Sequence, residues 1–364
     1  MGCPGSSPGG NSSYSDFLVQ PLLAEDLNHV LRHTQHLWEE ARGQRFFVTG
    51  GTGFFGKWLL ETFCYVNACL KLEMQATVLT RDSASFAKTC PHIAEREDVS
   101  FLDGDVRGFD FPLGQYRFIV HAATEASRKW SHSSQTEELS VLIDGTRRVL
   151  DFAERCGARK LLLSSSGAIY GVQPPEISHI SEDYLGAPDT LLPESTYGEG
   201  KRVAEHLCVV HSANRGYDVK IARCFAFVGP HLPLNGHFAM GNFLRDVLSG
   251  GAVRIAGDGT AVRSYLYAAD LAVWLWTVLF RGSHCRAYNV GSDESVSITQ
   301  VARAVIHATG EDLPVDIAGE AEQSLGFSRY VPSIERAKRE LNLSIWVPLD
   351  DAISRTLAWL RRML

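Results

Sequence analysis

Two kinds of hydrophobic pattern alternate along the first part of this chain. Short, almost wholly apolar segments are followed by longer segments in which apolar residues recur every three or four positions. The first pattern is typical of strands buried on both faces, and the second is typical of amphipathic helices. The apolar segments are residues 45–49, 75–80, 99–105, 117–123, 160–166 and 219–224. Because strands and helices alternate, we predict a Rossmann-type, doubly wound parallel sheet in an α/β fold.

The pattern changes after the sixth apolar segment. Pro230, Pro233 and Gly236 interrupt the chain, and most of the later segments have helical periodicity. The predicted elements are helices near 242–248, 270–280, 298–309, 334–341 and 349–360, and a strand at 253–255. We therefore expect a dinucleotide-binding domain at residues 45–225 and a smaller C-terminal substrate-binding α/β domain at residues 226–364, with a discontinuous boundary.

The first 44 residues precede the predicted sheet. Residues 1–16 are rich in glycine, serine and proline, which is typical of a flexible tail. Residues 24–42 carry apolar side chains at helical spacing. They predict an amphipathic helix that packs against the main domain or against a partner subunit.

Composition excludes several classes of function. The chain has 364 residues, a formal net charge of −7 and 45% hydrophobic residues. An acidic balance argues against a partner that is bound through its phosphate backbone, so no nucleic acid is expected. The eight cysteines form no C-x-x-C pair, which favours a reduced, cytoplasmic setting without a metal. The longest apolar run, residues 271–280, is too short to span a membrane.

A glycine-rich turn follows the first predicted strand and opens a helix at about Lys57. Gly50 and Gly51 allow a sharp turn, Gly53 lets a pyrophosphate approach the backbone, and Gly56 lets the helix pack closely on the strand. Backbone N–H groups at the start of the helix would face the phosphates. The predicted dinucleotide-binding residues here are Gly50, Gly51, Thr52, Gly53, Phe54, Phe55 and Gly56.

Three further side chains have the chemistry of a proton-transfer site. Tyr197 and Lys201 are four residues apart, so a helix places them on one face. An ammonium group beside a phenol favours the phenolate, which makes Tyr197 a candidate general acid and base. Ser166 ends the fifth predicted strand, so its hydroxyl would face the same cleft. The alternative is that Tyr197 and Lys201 are a surface pair and Ser166 caps a turn.

With the glycine turn, these residues resemble the extended short-chain dehydrogenase/reductases of the nucleotide-sugar branch. The matching segments run in the expected order over about residues 45–350. They are residues 49–56, 121–123 and 164–171, Tyr197 with Lys201, Arg223 with Gly229 and Pro230, residues 257–259 with Arg263, and residues 288–291.

The resemblance implies a nicotinamide cofactor and a nucleotide-diphosphate sugar. The cofactor would lie along the strand ends at Arg81, Asp105, Ala122 and Ala123, and would reach Tyr197 and Lys201. The substrate would contact Glu125, Ser166, Asn242, Arg263 and Arg329, since arginine suits diphosphate oxygens. The family resemblance also implies a homodimer.

Several residues depart from the family pattern. The dehydratases of the family have an acid pair after the catalytic hydroxyl, and a decarboxylase variant has a glutamate there. This chain has Gly167 and Ala168, so we expect neither reaction by that route. Ala226 and Leu142 replace asparagines that the family commonly has.

The second strand ends in Thr80-Arg81-Asp82, which leaves the choice of cofactor open. An acid at this position accepts from the ribose 2′-OH of NAD, whereas an arginine favours the 2′-phosphate of NADP. Arg81 favours NADP, and Asp82 keeps NAD as the alternative.

We expect an enzyme that moves a hydride at C4 of the sugar. The first expectation is a 4-ketoreductase, in which Tyr197 protonates the oxygen of a nucleotide-linked deoxyhexose as NADPH reduces it. A 4-epimerase that keeps NAD bound would use the same residues. The alternative from another class of function is a non-catalytic regulatory protein that binds NAD(P).

Overall fold

The structure is a computed structural model that describes residues 19–123, 132–213, 215–236, 238–319 and 328–363. The predicted tail at residues 1–16 and the predicted substrate contact Glu125 lie outside these ranges. Among the described residues, no helix is long and apolar enough to cross a membrane.

The predicted C-terminal helices are present with small changes at their ends, whereas the helices at Ser83–Thr89 and Pro91–Ala94 were not predicted. They are α1 Ala24–Thr34, α2 Phe54–Leu70, α3 Ser83–Thr89, α4 Pro91–Ala94, α5 His132–Arg155, α6 Thr196–Ser212, α7 Ala239–Leu248, α8 Ala268–Arg281, α9 Ile298–His307, α10 Glu335–Leu341 and α11 Leu349–Arg361. Short 3₁₀ helices occupy Gln35–Ala41, Gly167–Tyr170 and Pro193–Ser195.

The strands form one large sheet and three small ones. They are β1 Arg45–Thr49, β2 Gln75–Thr80, β3 Val99–Asp103, β4 Phe118–His121, β5 Lys160–Ser166, β6 Asp218–Cys224, β7 Phe227–Val228, β8 Val253–Ile255, β9 Val262–Arg263, β10 Leu266–Tyr267, β11 Arg286–Val290, β12 Val296–Ser297, β13 Val315–Ile317 and β14 Arg329–Tyr330. The small sheets pair β7 with β10, β8 with β13, and β9 with β12 and β14.

The large sheet has the order β11-β6-β5-β4-β1-β2-β3, and every pairing in it is parallel. This confirms the Rossmann-type fold that the alternating pattern predicts. The strand order reverses between β1 and β4, and ligands of such sheets bind outside the carboxyl ends of the strands at that point. The glycine turn follows β1 and Ala122 follows β4, so both lie at the reversal.

The seventh strand comes from the region predicted as a second domain. β11 pairs with β6, and α8, which precedes it, packs on β5, β6 and β11. All residues of α8 from Ala268 to Phe280 are buried. The apolar run at 271–280 therefore lies in a core helix that packs on the large sheet.

The N-terminal helix α1 packs on α2 and α8. The α-helix ends at Thr34, where a longer helix was predicted, and continues as a 3₁₀ helix. The Thr34 hydroxyl donates to the Val30 carbonyl (2.7 Å) and accepts from the Trp38 indole (3.0 Å). The tighter turn accompanies the burial of Trp38 against Trp276, with ring centroids 4.7 Å apart.

A buried carboxylate joins α1 to the rest of the protein. Asp26 is fully buried, accepts from the Tyr267 hydroxyl (2.7 Å) and pairs with Arg355 (3.1 Å). Burial raises the pKa of Asp26, and the two hydrogen bonds oppose that rise. The carboxylate therefore ties α1 to the start of α8 and to α11.

We expect Asp26→Ala to lower the free energy of unfolding by about 3 kcal/mol, because it leaves buried partners unpaired. Glu25→Ala is the matched control, since Glu25 is exposed and contacts the same Arg355 at 3.5 Å. Its loss should cost less than about 1 kcal/mol. Urea unfolding followed by circular dichroism measures both, and equal losses would contradict the role given to Asp26.

Candidate active site

The glycine turn is packed so tightly that two of its positions exclude side chains. A Cβ atom at Gly50, where φ is +73°, would lie 2.5 Å from the Ala122 carbonyl carbon. A Cβ atom at Gly56 would lie 2.3 Å from the Gly50 carbonyl oxygen. The turn, the first turn of α2 and the Ala122–Ala123 segment are thus in direct contact. The structure brings these predicted residues together.

Gly53 is different, because the packing of the chain does not require a glycine there. A Cβ atom at Gly53 would have its nearest neighbour at 3.5 Å, which is ordinary van der Waals contact. Gly53 is exposed and precedes α2, which begins at Phe54 rather than at the predicted Lys57. The open space therefore lies at a helix N-terminus, where backbone N–H groups bind phosphate. These residues fit the pyrophosphate of a dinucleotide.

The neighbouring strand ends carry the predicted contacts for the rest of the cofactor. Arg81 is exposed after β2, and the Asp82 carboxylate accepts from the Ser85 N–H (2.8 Å) at the start of α3. Asp105 is held by both arms of Arg107 at 2.8 and 2.7 Å. These hydrogen bonds lower the pKa of Asp105, and the charge of Arg81 contributes to the same shift. Arg107 was not among the residues predicted from the sequence.

Lys201 is buried beneath Tyr197 on α6. Its side chain is 3% exposed, and its Nζ atom donates to the Ser164 carbonyl oxygen at 2.7 Å. The same nitrogen lies 5.8 Å from the centre of the Tyr197 ring. Burial lowers the pKa of Lys201 to about 8. The two side chains therefore share one face of α6, and the ammonium lies close enough to favour a Tyr197 phenolate.

Ser166 ends β5 on the same side of the sheet. Its Oγ atom accepts from the Ala168 N–H (3.1 Å) and lies 3.5 Å from the Tyr330 hydroxyl. The first contact is the capping role that was the alternative interpretation of this serine. Burial raises the pKa of Tyr330, and the neighbouring Tyr197 adds to the rise. Tyr330, which sequence analysis did not identify, thus lies close to both Ser166 and Tyr197.

The structure gives a physical reason for the missing acid at position 167. A Cβ atom at Gly167 would lie 2.6 Å from Cζ of Phe225 and 2.7 Å from Oη of Tyr330. These distances are far below van der Waals contact, so a side chain at position 167 would require Phe225 and Tyr330 to move. The two aromatic rings, whose centroids are 4.6 Å apart, occupy that space.

A buried polar network lies under the candidate catalytic residues. Glu205 accepts from Arg223 (2.8 Å) and from the Ser165 hydroxyl, and Arg223 also donates to the Tyr170 hydroxyl (2.9 Å). Tyr170 donates to Asn289 on β11 (2.8 Å). Sequence analysis named Arg223 only as part of a motif. Glu205 is four residues after Lys201, and this helical spacing was the available signal.

His121 connects three elements beside this network. One ring nitrogen is 2.7 Å from the Thr49 hydroxyl on β1, and the other is 3.1 Å from the Thr146 hydroxyl on α5. Burial lowers the pKa of His121 to about 3, and the nearby Lys201 acts in the same direction. The imidazole is therefore neutral at physiological pH and bridges β1 and α5.

The predicted substrate contacts fall in two places. Arg263 and Arg329 lie on the paired strands β9 and β14, and Arg263 is the direct partner of Tyr330. Burial lowers the pKa of Arg263. Asn242 lies on α7, where its amide bonds within its own segment to the Gly236 carbonyl (3.1 Å). The small three-stranded sheet therefore brings one predicted substrate arginine next to Tyr330, whose hydroxyl lies 3.5 Å from Ser166.

The fold and this cleft define a dinucleotide-binding α/β protein. The chain belongs to the NAD dependent epimerase/dehydratase family, whose model matches residues 46–291. The resemblance to extended short-chain dehydrogenase/reductases of the nucleotide-sugar branch is thereby confirmed. The protein is an enzyme of the NAD-dependent nucleotide-sugar epimerase, dehydratase and decarboxylase type.

Relatives with curated functions include decarboxylases. UDP-glucuronic acid decarboxylase 1 of Xenopus tropicalis is 30% identical over 325 residues, which are 88% of this chain and 73% of that protein. UDP-glucuronic acid decarboxylase 5 of Arabidopsis thaliana is 31% identical over 309 residues, which are 85% of this chain and 87% of that protein.

Solved structures with the same fold include enzymes that are named for other reactions. UDP-glucose 4-epimerase of Thermotoga maritima with UDP-glucose has a TM-score of 0.75 at 21% identity, and the match covers 88% of this chain and 99% of that one. The dTDP-glucose 4,6-dehydratase of Streptomyces venezuelae with NAD has a TM-score of 0.75 at 23% identity, covering 88% and 97%. At these identities the likeness shows a shared fold.

The glycine turn generates a prediction with a built-in control. Gly53→Ala should leave the free energy of unfolding nearly unchanged and weaken binding of NADH and NADPH about tenfold, because the methyl group would stand in the phosphate path. Gly56→Ala should cost at least about 2 kcal/mol of stability, since its Cβ meets backbone atoms. Urea unfolding and nucleotide fluorescence titration measure the two effects. Unchanged affinity in Gly53→Ala would contradict the assigned phosphate site.

His121 generates a prediction about pH. Its folded pKa of about 3 lies below the ordinary 6.5, so below pH 6.5 the unfolded chain binds a proton that the folded chain does not. The stability that neutral His121 contributes is complete above pH 6.5 and declines toward pH 3. Between pH 6.5 and pH 5 the loss should be roughly 2 kcal/mol.

Comparing the pH dependence of stability between variants separates the contribution of His121 from that of other groups. Urea unfolding at several pH values should show a shallower acid decline for His121→Asn than for the unmodified protein. The exposed His307 provides the control substitution, His307→Asn, which should keep the original slope. An unchanged slope in His121→Asn would mean that other groups cause the acid decline.

Proposed function

We propose that this protein is a nucleotide-sugar oxidoreductase that acts at C4 of the sugar ring, with Tyr197 as the general acid and base. The observation that carries the proposal is the buried Lys201 amine beneath the Tyr197 ring, bonded to the Ser164 carbonyl. Burying an amine costs free energy unless it is hydrogen-bonded or paired with a charge. A surface pair that merely supports a helix would not be buried in this way.

Each residue has a separate task in the proposed mechanism. Bound NAD(P) would supply or accept the hydride. Tyr197 donates a proton to the C4 oxygen in reduction and takes it back in oxidation, and Lys201 lowers the cost of the phenolate. Ser166 donates a hydrogen bond to the same oxygen and polarises the carbonyl. Gly50, Gly53 and the start of α2 would hold the pyrophosphate.

The residues that follow β2 support NADP as the cofactor and a net 4-keto reduction as the first candidate reaction. Arg81 is exposed at the end of β2, where a 2′-phosphate would lie, and the Asp82 carboxylate is engaged in capping α3. An acid that caps a helix is less available for the ribose 2′-OH of NAD. In this outcome the product leaves after a single hydride transfer.

A 4-epimerase that retains NAD is the second candidate, because it would use the same Tyr197, Lys201 and Ser166 with the cofactor that the family description names. Gly167 and Ala168 supply no acid, so the proposal excludes an acid-assisted elimination of the kind that 4,6-dehydratases perform. The family resemblance also supports a homodimer. Val203, Val209 and Val210 on α6 are exposed and suit a subunit interface.

The decisive assay is a substrate panel. UDP-glucose, dTDP-glucose, UDP-glucuronic acid and a dTDP-4-keto-6-deoxyhexose are each offered with NAD(H) and NADP(H), and products are separated by chromatography. Consumption of NADPH with the keto sugar supports the reductase. A C4 epimer without net change in nicotinamide absorbance supports the epimerase. Binding without turnover in every arm would support the regulatory alternative instead.

Tyr197→Phe tests the assigned acid and base. We expect kcat to fall by a factor on the order of 10²–10⁴, because proton transfer loses its donor. KM and nicotinamide affinity should stay within about twofold, since the ring remains and only the hydroxyl is lost. Tyr65→Phe is the control, because that hydroxyl, on an exposed side of α2, donates to the Asn28 side chain of α1. Full turnover by Tyr197→Phe would overturn the proposed function.

A further inference from the structure

Tyr330 brings a third hydroxyl to the candidate catalytic pair. It lies on β14, distant from Tyr197 in the sequence, and its Oη atom is 3.5 Å from Ser166 Oγ and 3.5 Å from the Cys224 carbonyl oxygen. Its ring packs on Phe225 with centroids 4.6 Å apart. No motif of the sequence analysis included this residue.

The backbone around Tyr330 is held from two sides, so its phenol is preorganised. On one side β14 pairs with β9, which places Tyr330 opposite Arg263. On the other side the Val331 N–H donates to the Gln173 side chain (2.9 Å), and the Val331 carbonyl accepts from the Ile180 N–H (2.9 Å). A side chain fixed in this way loses little entropy when it forms a hydrogen bond.

The hydrogen-bond capacity of Ser166 defines what Tyr330 can do. A serine hydroxyl accepts two hydrogen bonds and donates one. The Ala168 N–H already supplies one donor to Ser166 Oγ. If the Tyr330 O–H supplies the second, the serine proton is directed to an oxygen in the cleft. A contact of 3.5 Å is longer than a good hydrogen bond, and catalytic hydrogen bonds are commonly this long before substrate binds.

We propose that Tyr330 is a positioning residue that orients the Ser166 hydroxyl toward the substrate oxygen, while its ring fills the space beside Gly167. This inference rests on the proposed function and deepens it. Tyr330 occupies the space beside position 167 together with Phe225, and its phenol directs the serine proton. The site is thereby committed to polarising an oxygen at C4 and is closed to an acid at that position.

The competing arrangement is a Tyr330 that bonds only to the Cys224 carbonyl. In that case the phenol would stabilise the strand end and would have no effect through Ser166. The two arrangements differ in whether the effects of Tyr330 and Ser166 are coupled. A double-mutant cycle therefore separates them.

The cycle uses the full chain, Tyr330→Phe, Ser166→Ala and the double variant, assayed with whichever panel sugar is turned over. We expect Tyr330→Phe to lower kcat about tenfold with KM unchanged, and Ser166→Ala to lower it about a hundredfold. The double variant should match Ser166→Ala alone. Tyr217→Phe is the control, because its buried hydroxyl bonds to His211 (2.8 Å) away from the cleft, and kcat should not change.

Multiplying effects in the double variant, or a normal kcat in Tyr330→Phe, would overturn the inference. Thermal unfolding of the four proteins of the cycle gives a second readout that needs no turnover. Non-additive shifts in the unfolding midpoint would support the contact between Tyr330 and Ser166. Shifts that add would overturn it. Tyr197→Phe distinguishes the two levels of failure. An active Tyr197→Phe removes the proposed function, whereas an inactive Tyr197→Phe beside a fully active Tyr330→Phe removes only the role of Tyr330.

Discussion

The hydrogen bond from the Lys201 amine to the Ser164 carbonyl fixes α6 against the end of β5, and the candidate site depends on it. Two glycines between Tyr197 and Lys201 permit this approach. A Cβ atom at Gly198 would lie 2.7 Å from the Ala168 carbonyl oxygen, and one at Gly200 would lie 2.6 Å from Leu142. Glycine costs a helix about 1 kcal/mol relative to alanine at each position. Helical propensity is thus given up so that the amine and the phenol can reach the sheet.

A second set of interactions keeps that helix face in register. Glu205 is one helical turn after Lys201 and binds Arg223 on β6, while Tyr170 and Asn289 extend the network to the 3₁₀ helix and to β11. Buried polar groups of this kind are costly when they lose a partner, so the network favours a single arrangement of strand ends. The last strand of the sheet, although distant in sequence, is therefore part of the foundation of the site.

The sequence predicts well the features that depend on neighbouring residues. The bounds of β1, β2 and β5 match the apolar segments, because a strand buried on both faces has a clear local signal. The glycine turn and the spacing of Tyr197 and Lys201 are equally local. β11 was not recognised as a strand of the main sheet, since its pairing with β6 is a contact between distant segments. Tyr330 was missed for the same reason.

The early start of α2 and the end of α1 show a different limit. Glycine and aromatic residues are weak helix formers on their own, yet Phe54 to Gly56 are helical and Gly56 packs directly on the backbone of Gly50 and Gly51. In such places tertiary contacts override local preference.

The location of these groups explains how one fold can serve several reactions. The residues assigned to hydride chemistry lie between positions 164 and 201 and are held by backbone contacts and buried networks. In the proposed mechanism, chemistry at the neighbouring carbon would depend on the groups beside Ser166, where Phe225 and Tyr330 occupy the space next to Gly167. In this chain the side chain beside the serine is a phenol from a distant strand, which donates and accepts hydrogen bonds but is a poor acid at neutral pH.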